Sequence, residues 1–367
     1  MTRARSGEYL TGLWLIVTLE LRQRVRGVAW YVLLGIFIVL VGAVTALLWF
    51  STSAWMTGGG GVFSTIVFFV LLLGTLVSPA LSGNAVNGER DAGTLATTQV
   101  TLISTGQLIL GKFLAAWITA LAFLAAAVPF LVFAVILGQV SAATIAVSVL
   151  VLAVELGVIA AIGVGLSGIL IRPLFSIVVT YLIVAALSIG TLISFALLGT
   201  ATKSEVTTVT RSVDATQFDS QTDEQSDVVC SAPHTNRYDV PRFDYYWWIL
   251  AANPYVVVAD ASPGAFDERG NAQDLFGWIA IGVRGAQTPP ELHQEIDYCT
   301  MATTDPGRDG MMSFGDNPTP REIYDRALPS WFVGLGIHLV LGAGALFWAW
   351  RRTDTPARTL PTGSRIA

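Results

Sequence analysis

Charge is scarce in this sequence. Only 13% of its 367 residues are Asp, Glu, Lys or Arg, against roughly 25% in soluble domains. More than half of the chain, 53%, is hydrophobic, and several apolar runs exceed ~18 residues. A soluble globular protein is excluded, because its core would be too large for its polar surface. Cysteine is limited to Cys230 and Cys299. His234 and His293 have no ligand-like spacing to them, so no metal site is expected. No nucleophile–base pair or paired carboxylate stands out. A phosphate-binding loop is missing too. Gly106–Phe113 (GQLILGKF) fits its first seven positions, but Phe113 stands where a Ser or Thr should ligate magnesium, and no βαβ unit surrounds it. Nucleotide binding by this chain itself is therefore not expected. Arg3 and Arg5 precede an amphipathic stretch and not a short apolar core with a cleavage site, so no cleavable signal is expected.

What is present is a set of long apolar runs. The expected fold is an all-α polytopic membrane protein with six transmembrane helices. Residues 1–27 come first. Within them Leu10, Leu13, Trp14, Val17 and Leu21 share one helical face ahead of Arg22, Arg24 and Arg26. This reads as an N-terminal amphipathic helix at the membrane interface, or as a short extension of the first span. Residues 28–199 hold five spans, near 28–50, 62–81, 113–137, 145–171 and 174–198, with Pro129 a kink and Pro173 at a helix start. Residues 83–112 interrupt them as a polar, Thr-rich segment. Residues 200–329 turn polar and acidic, 330–350 form a sixth span, and 351–367 a basic tail.

Orientation follows from the basic residues. Nine of the 21 lie in 199–329, and the other twelve all fall on one side if six spans alternate from a cytosolic N-terminus. The two short loops on the opposite side carry none. Both termini and segment 83–112 are then cytosolic, and 200–329 is extracytoplasmic, where long domains cross regardless of charge. That segment holds 20 of the 26 acids, read as a solvated surface. Cys230 and Cys299 both lie in it and are expected to form a disulfide, worth roughly 4 kcal/mol for a loop of this length. Thr200–Val229 is too polar to build a core and reads as loop or partly disordered chain. Tyr245–Trp248 (YYWW) reads as lying at the outer headgroups. Leu275–Val283 is too short to span, and is either an interfacial turn or part of a small domain's core.

Two ionisable residues fall inside predicted spans, Glu155 and His338. Intramembrane charge is costly and is a functional hypothesis by default. Glu155 would face a translocation path, take a proton, pair with His338, or pack as a hydrogen-bonded structural residue. Gly157, Ala161 and Gly165 form a small-residue stripe, and Gly334, His338 and Gly342 form another, on which His338 reads as packing.

These features together resemble an ABC-2 type permease, the membrane subunit of an ATP-driven exporter. The resemblance rests on the amphipathic helix ending in Leu19–Arg26, on Glu89, Gly93, Thr94 and Leu95 after the second span, on Gly111-Lys112 opening the third, and on Asn253-Pro254-Tyr255 before the last. It departs from the pattern at Ala96 and Leu102. It implies a bacterial plasma-membrane protein, a dimer (homo- or heteromeric) working with separate cytosolic ABC ATPases. Those subunits would bind ATP and magnesium, so this chain needs no cofactor and is not itself an enzyme. Residues Glu89, Arg90, Asp91, Gly93, Thr94 and Leu95 would form the ATPase-coupling element. Membrane lipid and an extracytoplasmic protein are further partners, and nucleic acid is not. The cargo would be amphipathic or hydrophobic. A different reading makes the chain a mechanotransmitter whose external domain regulates an envelope partner without transport. A third, an intramembrane enzyme using Glu155 and His338, would need those groups within hydrogen-bond reach.

Overall fold

The computed structural model describes residues 2–55, 60–91, 104–138, 140–213, 230–300 and 318–354, with the side chains of 2–6, 8, 52–55 and 91 excepted. Six of its helices are long and apolar enough to cross a membrane, so the chain is a polytopic helical membrane protein. Helix α1 (Thr2–Arg26) is separated only by Gly27 from α2 (Val28–Trp55). Next come α3 (Gly60–Ser82), the short α4 (Asn87–Asp91), α5 (Thr105–Gly138) and α6 (Ala142–Ile169). Helix α7 (Pro173–Ala201) carries a π-helical turn at Ala186–Gly190, and α12 (Trp331–Thr353) is the last span. Between them lie α8 (Trp247–Ala251), α9 (Pro254–Ala261), α10 (Leu275–Gly285) and α11 (Pro320–Arg326).

Local chemistry sets several of these boundaries. Ser141 accepts from the Thr144 amide to start α6, and Pro173 sits in the first turn of α7, where its missing N–H costs nothing. Thr319 and Glu322 make a reciprocal capping box on α11. The third apolar run begins as a helix at Thr105, eight residues before the expected Phe113. Gly106–Phe113 is therefore helical and not a phosphate-binding loop.

Helices α3 and α6 are the centre of the bundle, with 67% and 61% of their apolar windows buried, against 17% for α2 and α7. The main core joins Phe63, Leu71, Phe123, Leu152 and Leu156 of the spans to Val257 and Phe276. Phe276 sits edge-on to Phe63 and Phe68. Helices α9 and α10 thus share the core of the bundle: Leu275–Val283 is helical and packs through Phe276 on the spans, not in a separate small-domain core among the described residues.

An all-α reading needs one correction. A three-stranded sheet, in the order β2-β1-β3, is built from β1 (Lys203–Arg211), β2 (His234–Pro241) and β3 (His293–Asp297). Strand β1 pairs antiparallel with β2 from Lys203↔Pro241 to Thr210↔His234, and parallel with β3 from Thr207↔His293 to Arg211↔Asp297. Lys203–Arg211 was expected to be loop. It is a strand because alternate residues Val206 and Thr208 are buried while its polar neighbours face outward. Cys230 and Cys299 form the expected disulfide, with Cα atoms 5.6 Å apart. It ties the bridge at Val213↔Cys230 to the residues following β3.

Candidate functional site

The bundle has a basic end, where α1, α4 and the start of α5 meet the ends of α3, α6 and α12, and a sheet end. At the basic end the apolar contact comes first. A Cβ on Gly111 of α5 would lie 2.8 Å from Ile16 Cγ2 of α1, so only glycine allows this approach. The next residue, Lys112, is 1% exposed. Its Nζ donates to Glu20 Oε1 of α1 at 2.5 Å and to Glu89 Oε1 of α4 at 2.7 Å. One turn beyond Glu20, Arg24 donates to Leu81 O at 3.2 Å, at the end of α3, and to Thr119 Oγ1 of α5 at 3.3 Å. Burial pulls the Arg24 guanidinium below its usual value, and the Glu20 carboxylate opposes that shift. Two carboxylates and two cations therefore form a charge-balanced lock across four helices. Breaking a fully buried pair costs about 3–5 kcal/mol, because the partner is left uncompensated; here Glu89 is 26% exposed, so the cost is smaller.

Helix α4 is fastened to α6 as well. Arg90 donates to Leu170 O at 3.1 Å and Gly168 O at 3.3 Å, and to Asn87 Oδ1 at 2.9 Å. A cation on the last carbonyls of α6 also complements its dipole. Ser167 Oγ accepts from the Val86 and Asn87 amides at 3.0 and 3.1 Å. The structure thus turns Glu89 and Arg90 inward, onto the neighbouring helices. Asp91 ends α4, with its side chain not described. Gly93, Thr94 and Leu95 lie outside the described residues.

A second polar site lies between α6 and α12. His338 Nδ1 is 2.9 and 3.0 Å from the two Glu155 oxygens, and its Nε2 is 2.8 Å from Ala252 O. Both side chains are 1% exposed. A carbonyl only accepts, so Nε2 carries a proton. The Nδ1–carboxyl contact then holds one more proton, as imidazolium–carboxylate or as imidazole–carboxylic acid. Both forms are neutral overall, which is how ionisable groups become tolerable among apolar helices. The pairing considered from sequence is therefore present.

The loop from α8 to α9 is the third partner of that pair. Asn253 caps α9 by accepting from the Tyr255 amide. Its Nδ2 donates to Ser188 O at 2.6 Å and to Thr191 Oγ1 at 2.9 Å, in and just after the π turn of α7. A π turn displaces carbonyls from the regular ladder, and Asn253 satisfies one of them. Gly334 of α12 lies against Ala251 O, where a Cβ would come within 2.0 Å. At the far end of α9, Asp260 Oδ1 accepts from Arg284 Nε at 2.6 Å. Its Oδ2 accepts from the Ser330 amide, the Ser330 hydroxyl at 2.9 Å and the Trp331 amide at 2.9 Å, and so caps α12. Arg284 also donates to Tyr324 O at 2.6 Å and lies 3.8 Å from the Tyr324 ring centre.

The small-residue stripes divide between two neighbours. Ala161 meets Gly342, and Gly165 and Gly168 meet Ala345 and Ala349, along the α6–α12 contact. Gly157 faces Trp117 of α5, whose Nε1 donates to Ala153 O at 2.8 Å.

Sequence reasoning picked out Glu89, Arg90, Glu155, His338 and Asn253, but not the roles of Glu20, Arg24, Lys112, Asp260 and Arg284. One signal was available: a lysine in the apolar run Ile109–Phe113 requires a carboxylate nearby. Among the described residues, no group of three or more His, Cys, Asp and Glu side chains is placed to hold a metal ion. No protein-family model matches the chain, and no curated protein matches it.

Proposed function

We propose that the chain is the permease subunit of an ATP-driven exporter, working as a dimer and moved by a separate cytosolic ATPase that docks on the basic end. The observation that carries this reading is the Lys112 lock. Helix α4 opens the linker between the second and third spans. Through Glu89 it is bonded to α5 and indirectly to α1, and through Arg90 to α6. A protein that displaces this linker would therefore pull on several spans at once, which is what coupling to ATP hydrolysis requires. The resemblance in the order of motifs adds the class of partner.

The experiment is affinity purification of the full chain from its native membranes in a mild detergent, followed by an ATPase assay. A co-purifying P-loop ATPase in equal amount supports the reading. Its absence, with the chain intact and monodisperse, overturns it.

One observation favours the mechanotransmitter as second reading. Helix α7 runs into β1 through the single residue Thr202, whose hydroxyl is 2.9 Å from Tyr246 OH. Motion of a span would reach the sheet directly. Removing residues 203–241 separates the two: a transporter keeps moving cargo, and a transmitter loses its envelope partner.

A further inference from the structure

Ala252 and Asn253 are neighbours in the chain, and each is held by a different span. Ala252 O accepts from His338 Nε2 of α12 at 2.8 Å, and Glu155 of α6 orients that imidazole from its other nitrogen. Asn253 Nδ2 donates to Ser188 O and Thr191 Oγ1 of α7. Both residues are buried. In the π turn itself, the Thr191 amide reaches back five residues to Ala186 O, and the Thr191 hydroxyl donates to Leu187 O at 2.7 Å. Two side chains, one of them from outside the helix, thus bond to the carbonyls of Leu187 and Ser188.

A π turn holds one residue more than a regular helical turn. Closing it would rotate the chain beyond it by about 100° and shift it by about 1.5 Å. The sheet is seated on that part of α7. Gly199 lies against the Phe243 ring with no room for a Cβ. Phe195 is 5.1 Å from the same ring, centre to centre. The Arg242 amide donates to Gly199 O at 3.1 Å and to Thr202 O at 2.9 Å. Arg242 and Phe243 follow β2 directly, and β1 begins at Lys203. A rotation at 186–190 would break these contacts, so the π turn fixes the register in which α7 meets the sheet. We propose that Glu155 and His338 are positioning residues for the sheet. Through Ala252 and Asn253 they hold the π turn of α7, and parting α12 from α6 at this pair releases it. The relay needs no ATPase and stands whether or not the coupling reading holds.

The test is hydrogen–deuterium exchange of the full chain in nanodiscs, read by mass spectrometry at β1 (Lys203–Arg211) and at α4 (Asn87–Asp91). Glu155→Leu removes the group that orients His338. It should speed exchange in β1 about ten-fold, one hydrogen bond's worth of local stability, and leave α4 unchanged. Glu155→Gln should exchange as the wild type does, because its amide can donate to Nδ1 and leave Nε2–H on Ala252 O. Asn253→Ser keeps a cap on α9 but is too short to reach Ser188 O. It should match Glu155→Leu, and it tests the far half of the relay even if Glu155→Leu fails to fold. Wild-type exchange of β1 in Glu155→Leu or in Asn253→Ser would overturn the proposal. So would Glu155→Gln behaving like Glu155→Leu, or an equal rise in α4, which marks general loosening.

Discussion

The basic end and the sheet end solve the same problem with different materials. Both must hold together segments that are far apart in sequence. The basic end uses a few long, charged side chains in one balanced group, with Glu89 still 26% exposed. The sheet end uses shorter, drier links, Asp260 with a fully buried carboxylate against Arg284 and a disulfide, and they continue into the middle of the bundle with Asn253 in the π turn and the Glu155–His338 pair. A partly wet charge group can rearrange without stranding a charge in the core, whereas a dry one cannot. The contrast assigns rigidity to the sheet end and adjustability to the basic end.

The strongest challenge to this contrast is Asp260→Ala. It strands Arg284 and uncaps α12 together, and should cost about 3–5 kcal/mol. Thermal unfolding of the detergent-solubilised chain should show a large drop in midpoint or loss of monodisperse protein. A change as small as that of an exposed residue would remove the claim that the sheet end is pinned. Next in size is the disulfide. Cys230→Ser with Cys299→Ser opens a loop with a sequence separation of 69 residues, an effect of about 4 kcal/mol in the chain-entropy picture. The loss should be local, so limited proteolysis should cut around the sheet while the spans stay protected. Cleavage throughout the bundle would show that the two regions are not separable.

Lys112→Met comes third. It leaves Glu20 and Glu89 facing each other, but water reaches Glu89, so the cost should be smaller, about 1–3 kcal/mol. Lys112→Arg should recover most of it in the same unfolding assay. Acid gives the smallest effect and falls on the sheet end. The Thr300 amide and hydroxyl hold Asp297 below the usual carboxylate range, and Arg242 does the same for Asp244. A depressed folded pKa adds stability above the unfolded value, and that stability is lost as pH falls through the folded one. Each shift comes chiefly from contacts within three residues along the chain, so its loss is local and the effect small. Tyrosine and tryptophan fluorescence should therefore report loosening of the sheet end below about pH 3.9, the ordinary aspartate value.

The six spans were legible because apolar length alone defines them, and most of their ends differ from expectation by a few residues. The start of the third was not legible. Thr105–Lys112 looks polar enough to leave the membrane, and only carboxylates from α1 and α4, far off in sequence, make Lys112 buriable. Strand β1 was missed for a similar reason. Its apolar residues are few, and its parallel partner β3 begins more than eighty residues away. The disulfide was legible because two cysteines permit a single pairing. Asn253-Pro254 was legible only as a motif of the resemblance, and neither its cap on α9 nor its bond to the π turn of α7 was, since nothing local in 186–190 announces that turn.

The measurement that bears most directly on the proposal that the lock couples the spans to an ATPase is ATP turnover in proteoliposomes. It compares the complex of chain and co-purified ATPase with the ATPase alone, for the wild type, Lys112→Met and Lys112→Arg. The lock predicts that Lys112→Met still assembles but brings the ratio of the two rates close to one, and that Lys112→Arg restores it. A wild-type ratio in Lys112→Met would contradict the account.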